Sequence, residues 1–134
     1  MSSIKLEVVT PQKKILTEEV ESVMVPGTEG YLGVLARHTP LLTSLRPGVV
    51  YYRQAGKKME RMAVSGGFME VGPARVIILA DMAELSSEID VERARRAKEK
   101  AEKYLRERPA GFDPARAEKE LQKNMARLKA AAVE

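Results

Sequence analysis

The chain has 134 residues, 23 Lys/Arg against 19 Asp/Glu, a net charge of +4, one histidine, and neither cysteine nor tryptophan. That excludes disulfides, thiolate metal sites and cysteine nucleophiles, and a lone imidazole builds no metal cluster by itself. With two Phe and four Tyr the core must be aliphatic, and no apolar run approaches the roughly 18–20 residues that cross a bilayer, so a soluble chain with one modest core, or a small domain plus an appendage, is expected.

Residues 4–8 alternate apolar and polar, the period of a strand with one wet face, and Pro11 ends the run because it has no N–H for a ladder. Residues 14–17 form a weaker strand candidate and 19–25 a stronger one, with Val20, Val23 and Val25 available for burial. Pro26-Gly27-Thr28-Glu29-Gly30 then reads as a turn, so that 31–35 returns as a hairpin. Ala36-Arg37-His38-Thr39-Pro40 interrupts before the apolar run 41–45, and Arg46-Pro47-Gly48 predicts another turn. Residues 49–53 and 59–64 pair across Gln54-Ala55-Gly56-Lys57, 68–71 follows Gly66-Gly67, and 75–80, the most continuous β-branched run, is the expected central strand. Turn signals at this spacing predict eight to ten short strands in an antiparallel β-sandwich or flattened barrel.

The period changes across residues 84–94. Ala94, Ala97, Ala101 and Tyr104/Leu105 recur at three- and four-residue steps, predicting a helix with a narrow stripe of small side chains. Asp90 can cap it, and Ser87-Glu88-Ile89-Asp90 also fits a capping box one turn earlier; both starts are open at this level. Residues 107–112 break the helix, Asp113-Pro114 restarts it, and Ala117, Leu121, Met125, Leu128 and Ala132 supply the next apolar stripe. Residues 87–134 are thus expected to form an antiparallel two-helix hairpin. Alanine buries little area at roughly 25 cal/mol per Å², so such a hairpin holds itself weakly and is free to exchange its own contacts for a partner's.

No phosphate loop, G-x-S-x-G or H-E-x-x-H is present, and no catalytic residue is expected. A charge constellation remains around the helix start. Arg93 and Lys100 share a helical face, Glu84 and Asp90 flank that helix, and Arg127 comes alongside if the hairpin closes. Convergent cations hold phosphates by charge-assisted hydrogen bonds, and the carboxylates suit an adenine amino group or ribose hydroxyls. Scattered surface salt bridges would produce the same pattern. Nucleic-acid binding is disfavoured because only Tyr104 and Phe112 are aromatic in the tail and its charges alternate in sign.

Several segments carry a family resemblance. Val8-Val9-Thr10-Pro11, Gly30-Tyr31-Leu32-Gly33-Val34, His38-Thr39-Pro40-Leu41-Leu42-Thr43, the run Val64-Ser65-Gly66-Gly67-Phe68-Met69-Glu70-Val71, and Ile89-Asp90-Val91-Glu92-Arg93-Ala94 occur in order over essentially the whole chain. Together they resemble the epsilon subunits of bacterial F-type ATP synthases, called delta in mitochondria. The resemblance implies a ten-stranded sandwich (1–86) that binds the gamma subunit and the c-ring, and a regulatory hairpin (87–134). It implies a non-catalytic rotor subunit at the cytoplasmic face of the bacterial membrane, without membrane insertion, whose basic tail extends toward the catalytic beta and alpha subunits and inhibits ATP hydrolysis. In some members an Ile/Leu-Asp-x-x-Arg-Ala motif binds ATP as a regulatory ligand, not a required cofactor. Carried over, that site comprises Glu84, Asp90, Arg93, Lys100 and Arg127, with Lys100 where the family has an arginine. The same resemblance makes Tyr31, Arg37 and His38 partner contacts, with Tyr31 replacing an acid of some relatives and Arg37 a usual glycine.

Overall fold

A computed structural model describes residues 3–132. Eight strands come first: β1 (Ile4–Val9), β2 (Lys14–Val20), β3 (Ser22–Gly27), β4 (Gly30–Leu35), β5 (Leu41–Arg53), β6 (Glu60–Val71), β7 (Arg75–Ala80) and β8 (Ala83–Leu85). A 3-10 turn at Ser86–Glu88 leads into α1 (Val91–Glu107) and α2 (Pro114–Ala131).

The β5–β6 ribbon is the spine. Its strands pair from Leu41 opposite Val71 to Tyr52 opposite Glu60. β7, β1 and β2 extend the sheet beyond β6, while β3 and β4 extend it beyond β5, and β8 pairs separately with β6. Both layers of the sandwich therefore draw on the same two long strands. Eight lies within the range the turn signals predict, and the ten that the resemblance implies are not reached because the chain passes 46–48 and 65–67 without leaving the ladder. Two further departures concern the connections. The run 19–25 divides at Glu21 between β2 and β3, and β1 pairs with β7 in parallel, because these strands meet from opposite ends of the sandwich sequence without a hairpin between them.

Pro47 was expected in a turn because proline cannot donate to a ladder. It sits inside β5 where the β3–β5 register shifts between Met24 and Gly27, so a missing N–H costs little there. The nearby Val49 N–H donates to the Tyr31 hydroxyl at 3.1 Å. Gly48 makes room for Pro26, whose Cβ would stand 2.7 Å from a Cβ at position 48.

Alternation along the ribbon feeds two packing layers. Val50, Met62 and Val64 point into the main core with Leu6, Val8, Val25, Met69 and Ile78. The intervening Val49 and Ala63, opposite one another, point out and are covered by Ala126 and Ala130 of α2. The second helix is rotated from its expected stripe. Its buried positions are Ala117, Asn124, Ala126 and Ala130, whereas Met125 is exposed. A helix pressed between α1 and the ribbon buries small side chains on two sides, and close approach outweighs the area a methionine would bury.

β6 changes neighbours from β7 to β8 at Gly66-Gly67, which have φ of 96° and 121°. A Cβ on Gly67 would lie 2.0 Å from the Leu79 carbonyl oxygen. Gly67→Ala is therefore expected to destabilise the chain by at least about 3 kcal/mol, measured as a lowered midpoint in urea-induced unfolding.

Candidate functional site at the helical hairpin

Asp90 begins α1. Its backbone is extended, and its Oδ1 accepts from the Arg93 N–H at 3.1 Å, which satisfies one of the orphan donors of the first turn. The alternative box starting at Ser87 does not form: Ser86–Glu88 is a 3-10 turn, and the Leu85 N–H donates to Glu88 Oε1 at 3.3 Å. The Arg93 guanidinium is exposed and, among the described residues, has no hydrogen-bond or ion-pair partner. Lys100, two turns on, places Nζ over the Tyr104 ring at 5.6 Å. It borders a cavity of about 790 Å³ at the loop end of the hairpin, with Phe112 and Arg116 also in the lining.

Glu84, on β8, meets Arg127 of α2: Arg127 Nε donates to Glu84 Oε1 at 2.5 Å. The two side chains keep 30% and 21% of their exposure, so screening is weaker than for surface pairs worth about 0–1 kcal/mol. Of the five nucleotide-site residues taken from the sequence, the structure thus joins Glu84 to Arg127 and Asp90 to the Arg93 backbone. It links Lys100 to neither pair among the described residues.

Sequence reasoning missed two members of this cluster. Asn124 is fully buried; its Nδ2 donates to the Glu120 carbonyl at 2.8 Å and its Oδ1 accepts from Arg127 Nη1 at 2.9 Å. Arg127 Nη2 points at the Met82 sulfur at 3.1 Å. The available signal was an asparagine, a poor helix former, one helical turn before Arg127.

The three expected partner-contact residues lie on the sandwich. Tyr31 spends its hydroxyl on Val49, and its ring carries the guanidinium of Arg46 at 5.9 Å and the ammonium of Lys129 at 5.8 Å. It therefore has an internal job, bracing β5 and reaching α2. Arg37 has a φ of 66°, in a turn closed by the His38 N–H on the Leu35 carbonyl at 3.2 Å. His38 Nδ1 lies 2.6 Å from the Thr39 carbonyl oxygen; a carbonyl only accepts, so Nδ1 carries the proton.

A β-sandwich whose central ribbon seats a two-helix hairpin is the architecture of a stalk subunit of the rotary ATP synthases, and comparison with known proteins agrees along the whole chain. The family model "ATP synthase, Delta/Epsilon chain, beta-sandwich domain" matches residues 3–86 and "ATP synthase, Delta/Epsilon chain, long alpha-helix domain" matches 87–132. The ATP synthase epsilon chain of Moorella thermoacetica is 58% identical over 98% of either chain. That of Desulforamulus reducens is 46% identical over 95% of this chain and 96% of its own. A chain in the cryo-EM structure of the Euglena gracilis mitochondrial ATP synthase (OSCP, F1 and c-ring, rotational state 1) superposes with a TM-score of 0.84 at 28% identity, covering 98% of this chain and 82% of that one. The chain belongs to the ATP synthase delta/epsilon family.

Arg37 occupies a left-handed conformation that costs a non-glycine residue about 1–2 kcal/mol, part of which glycine returns through its freer unfolded chain. Arg37→Gly is expected to raise stability by about 0.5–1 kcal/mol, visible as a higher thermal midpoint.

Proposed function

We propose that the sandwich fixes this chain to the gamma subunit and the c-ring, and that the hairpin is a regulatory arm that inhibits ATP hydrolysis when it extends toward the catalytic beta and alpha subunits. The assembly would lie at the cytoplasmic face of the membrane as a peripheral component. Among the described residues no helix is long and apolar enough to cross a membrane.

One observation carries the regulatory part. The outer helix α1 buries only Ala94 and Ala101 and exposes Arg93, Arg95, Arg96, Lys103 and Arg106. Such a helix gives up little apolar contact on leaving and offers cations to an acidic partner surface. For the sandwich, Phe68 and Leu79 stand opposite one another and exposed on an outer sheet face, with exposed Leu42 one row away. Apolar side chains adjacent on one face suit burial against another subunit.

ATP is proposed as a regulatory ligand of the compact hairpin, held by Asp90, Arg93, Lys100 and Arg127 with Glu84. The Arg93 guanidinium, without a partner among the described residues, supports this, being a fork donor ready for phosphate oxygens. A ligand shifts the balance between docked and extended tails only by its differential affinity for the two, and extension pulls Glu84 and Arg127 apart. No hydrolysis is assigned to this chain.

Deleting residues 88–134 is expected to raise ATP hydrolysis by the assembled synthase while leaving assembly intact; a truncated subunit that no longer joins gamma would overturn this division of labour. Titration calorimetry with ATP should give a saturable heat for the intact chain and a loss of roughly tenfold or more in affinity for Arg93→Ala, the scale of one charge-assisted fork. Equal heats from both proteins would remove ATP from the reading.

A further inference from the structure

We propose that Asn124 is a positioning residue that fixes Arg127 on Glu84, and that this polar latch sets how readily α2 leaves the sandwich. The inference rests on the reading that the hairpin is a releasable arm, and adds which helix must let go and what holds it.

Topology selects α2. The chain runs from the sandwich through α1 to α2, so while α2 stays docked α1 is tethered at both ends. Packing agrees, because the extensive contacts of α1 are with α2, whereas α2 also packs on β5 and β6. The fully buried apolar part of that dock is small, Ala126 and Ala130 against Val49 and Ala63, with Tyr51 and Ile89 partly buried beside it. Polar ties surround it: Arg61 Nη2 donates to the Ala132 carbonyl, Lys129 lies over Tyr31, and Arg127 binds Glu84.

Arg127 commits its whole guanidinium. Its Nε, Nη1 and Nη2 go to Glu84, Asn124 and Met82 respectively, which aims the guanidinium plane in one direction. Asn124 is held in turn, since its amide nitrogen is bound to the carbonyl one turn back and its burial leaves it no water. An asparagine at this place lowers helix propensity and displaces an apolar side chain from a buried position. Aligning Arg127 is the role that its two hydrogen bonds perform. A consequence follows for anions at this site: a phosphate reaching Arg127 must take it from Glu84, whereas Arg93 is available without displacement.

Hydrogen exchange measured by mass spectrometry on the full-length subunit tests the latch. In the wild type, α2 amides are expected to exchange ahead of those in β6 and β7. Asn124→Ala and Glu84→Gln should each speed α2 exchange about tenfold, the factor for one partly shielded charge-assisted hydrogen bond, with β6 and β7 unchanged. The double variant should be no faster than the faster single one, because both act through Arg127. If the two factors multiply, Asn124 acts through packing and the inference is overturned; it is also overturned if neither variant exceeds Arg95→Ala, which removes only an exposed contact within α1. Should α2 exchange only together with β6 and β7, the releasable arm itself is refuted, an outcome distinct from those two. Where Asn124→Ala does not fold, Arg127→Lys replaces it in the same cycle, keeping the charge while losing the contacts to Asn124 and Met82.

Discussion

Everything outside the sandwich hangs on a narrow seam in which Ala126 and Ala130 of α2 meet Val49 and Ala63 of the β5–β6 ribbon. Four small or β-branched side chains allow the helix axis to come close, yet bury little area at roughly 25 cal/mol per Å². The ribbon can offer this surface because strand alternation sends Val50, Met62 and Val64 to the opposite side, into the main core. One pair of strands thereby organises both the folded domain and the seat of its arm.

A seam that small must be supplemented, and the supplement is polar. Glu84, Arg127, Asn124 and Met82 form a connected set at one side of α2, and Tyr31 with Lys129 forms another contact. Directional contacts of this kind specify one docked geometry without adding much apolar adhesion. Tight apolar packing would hold the arm permanently. The combination found here is suited to an element that docks in one place and leaves at modest cost.

The fold was legible wherever a local rule applied. Asp90 and Asp113 cap their helices, Pro114 stands in the first turn, and Gly111 with φ of 79° lies in the connection between them. Legibility failed where a distant neighbour cancelled the local rule. Pro47 lies in a strand because the ladder to β3 is interrupted beside it. In the site, the residue types and the helical face of Arg93 and Lys100 could be read directly. That Lys100 rests on Tyr104, or that Glu84 claims Arg127, could not.

Sequence alone determined the class of architecture, the two helices with their caps, and membership in a family through an ordered set of motifs. Those features depend on period, capping and turn chemistry, which act over a few residues. Tertiary structure alone decided that two long strands serve both layers, that α2 turns Ala126 and Ala130 inward and Met125 outward, and that Arg127 is shared between Glu84 and Asn124. The seating of α2 depends on close packing against a ribbon far away in the chain, and side-chain volume and hydrogen-bond satisfaction at such contacts are properties of the assembled surface.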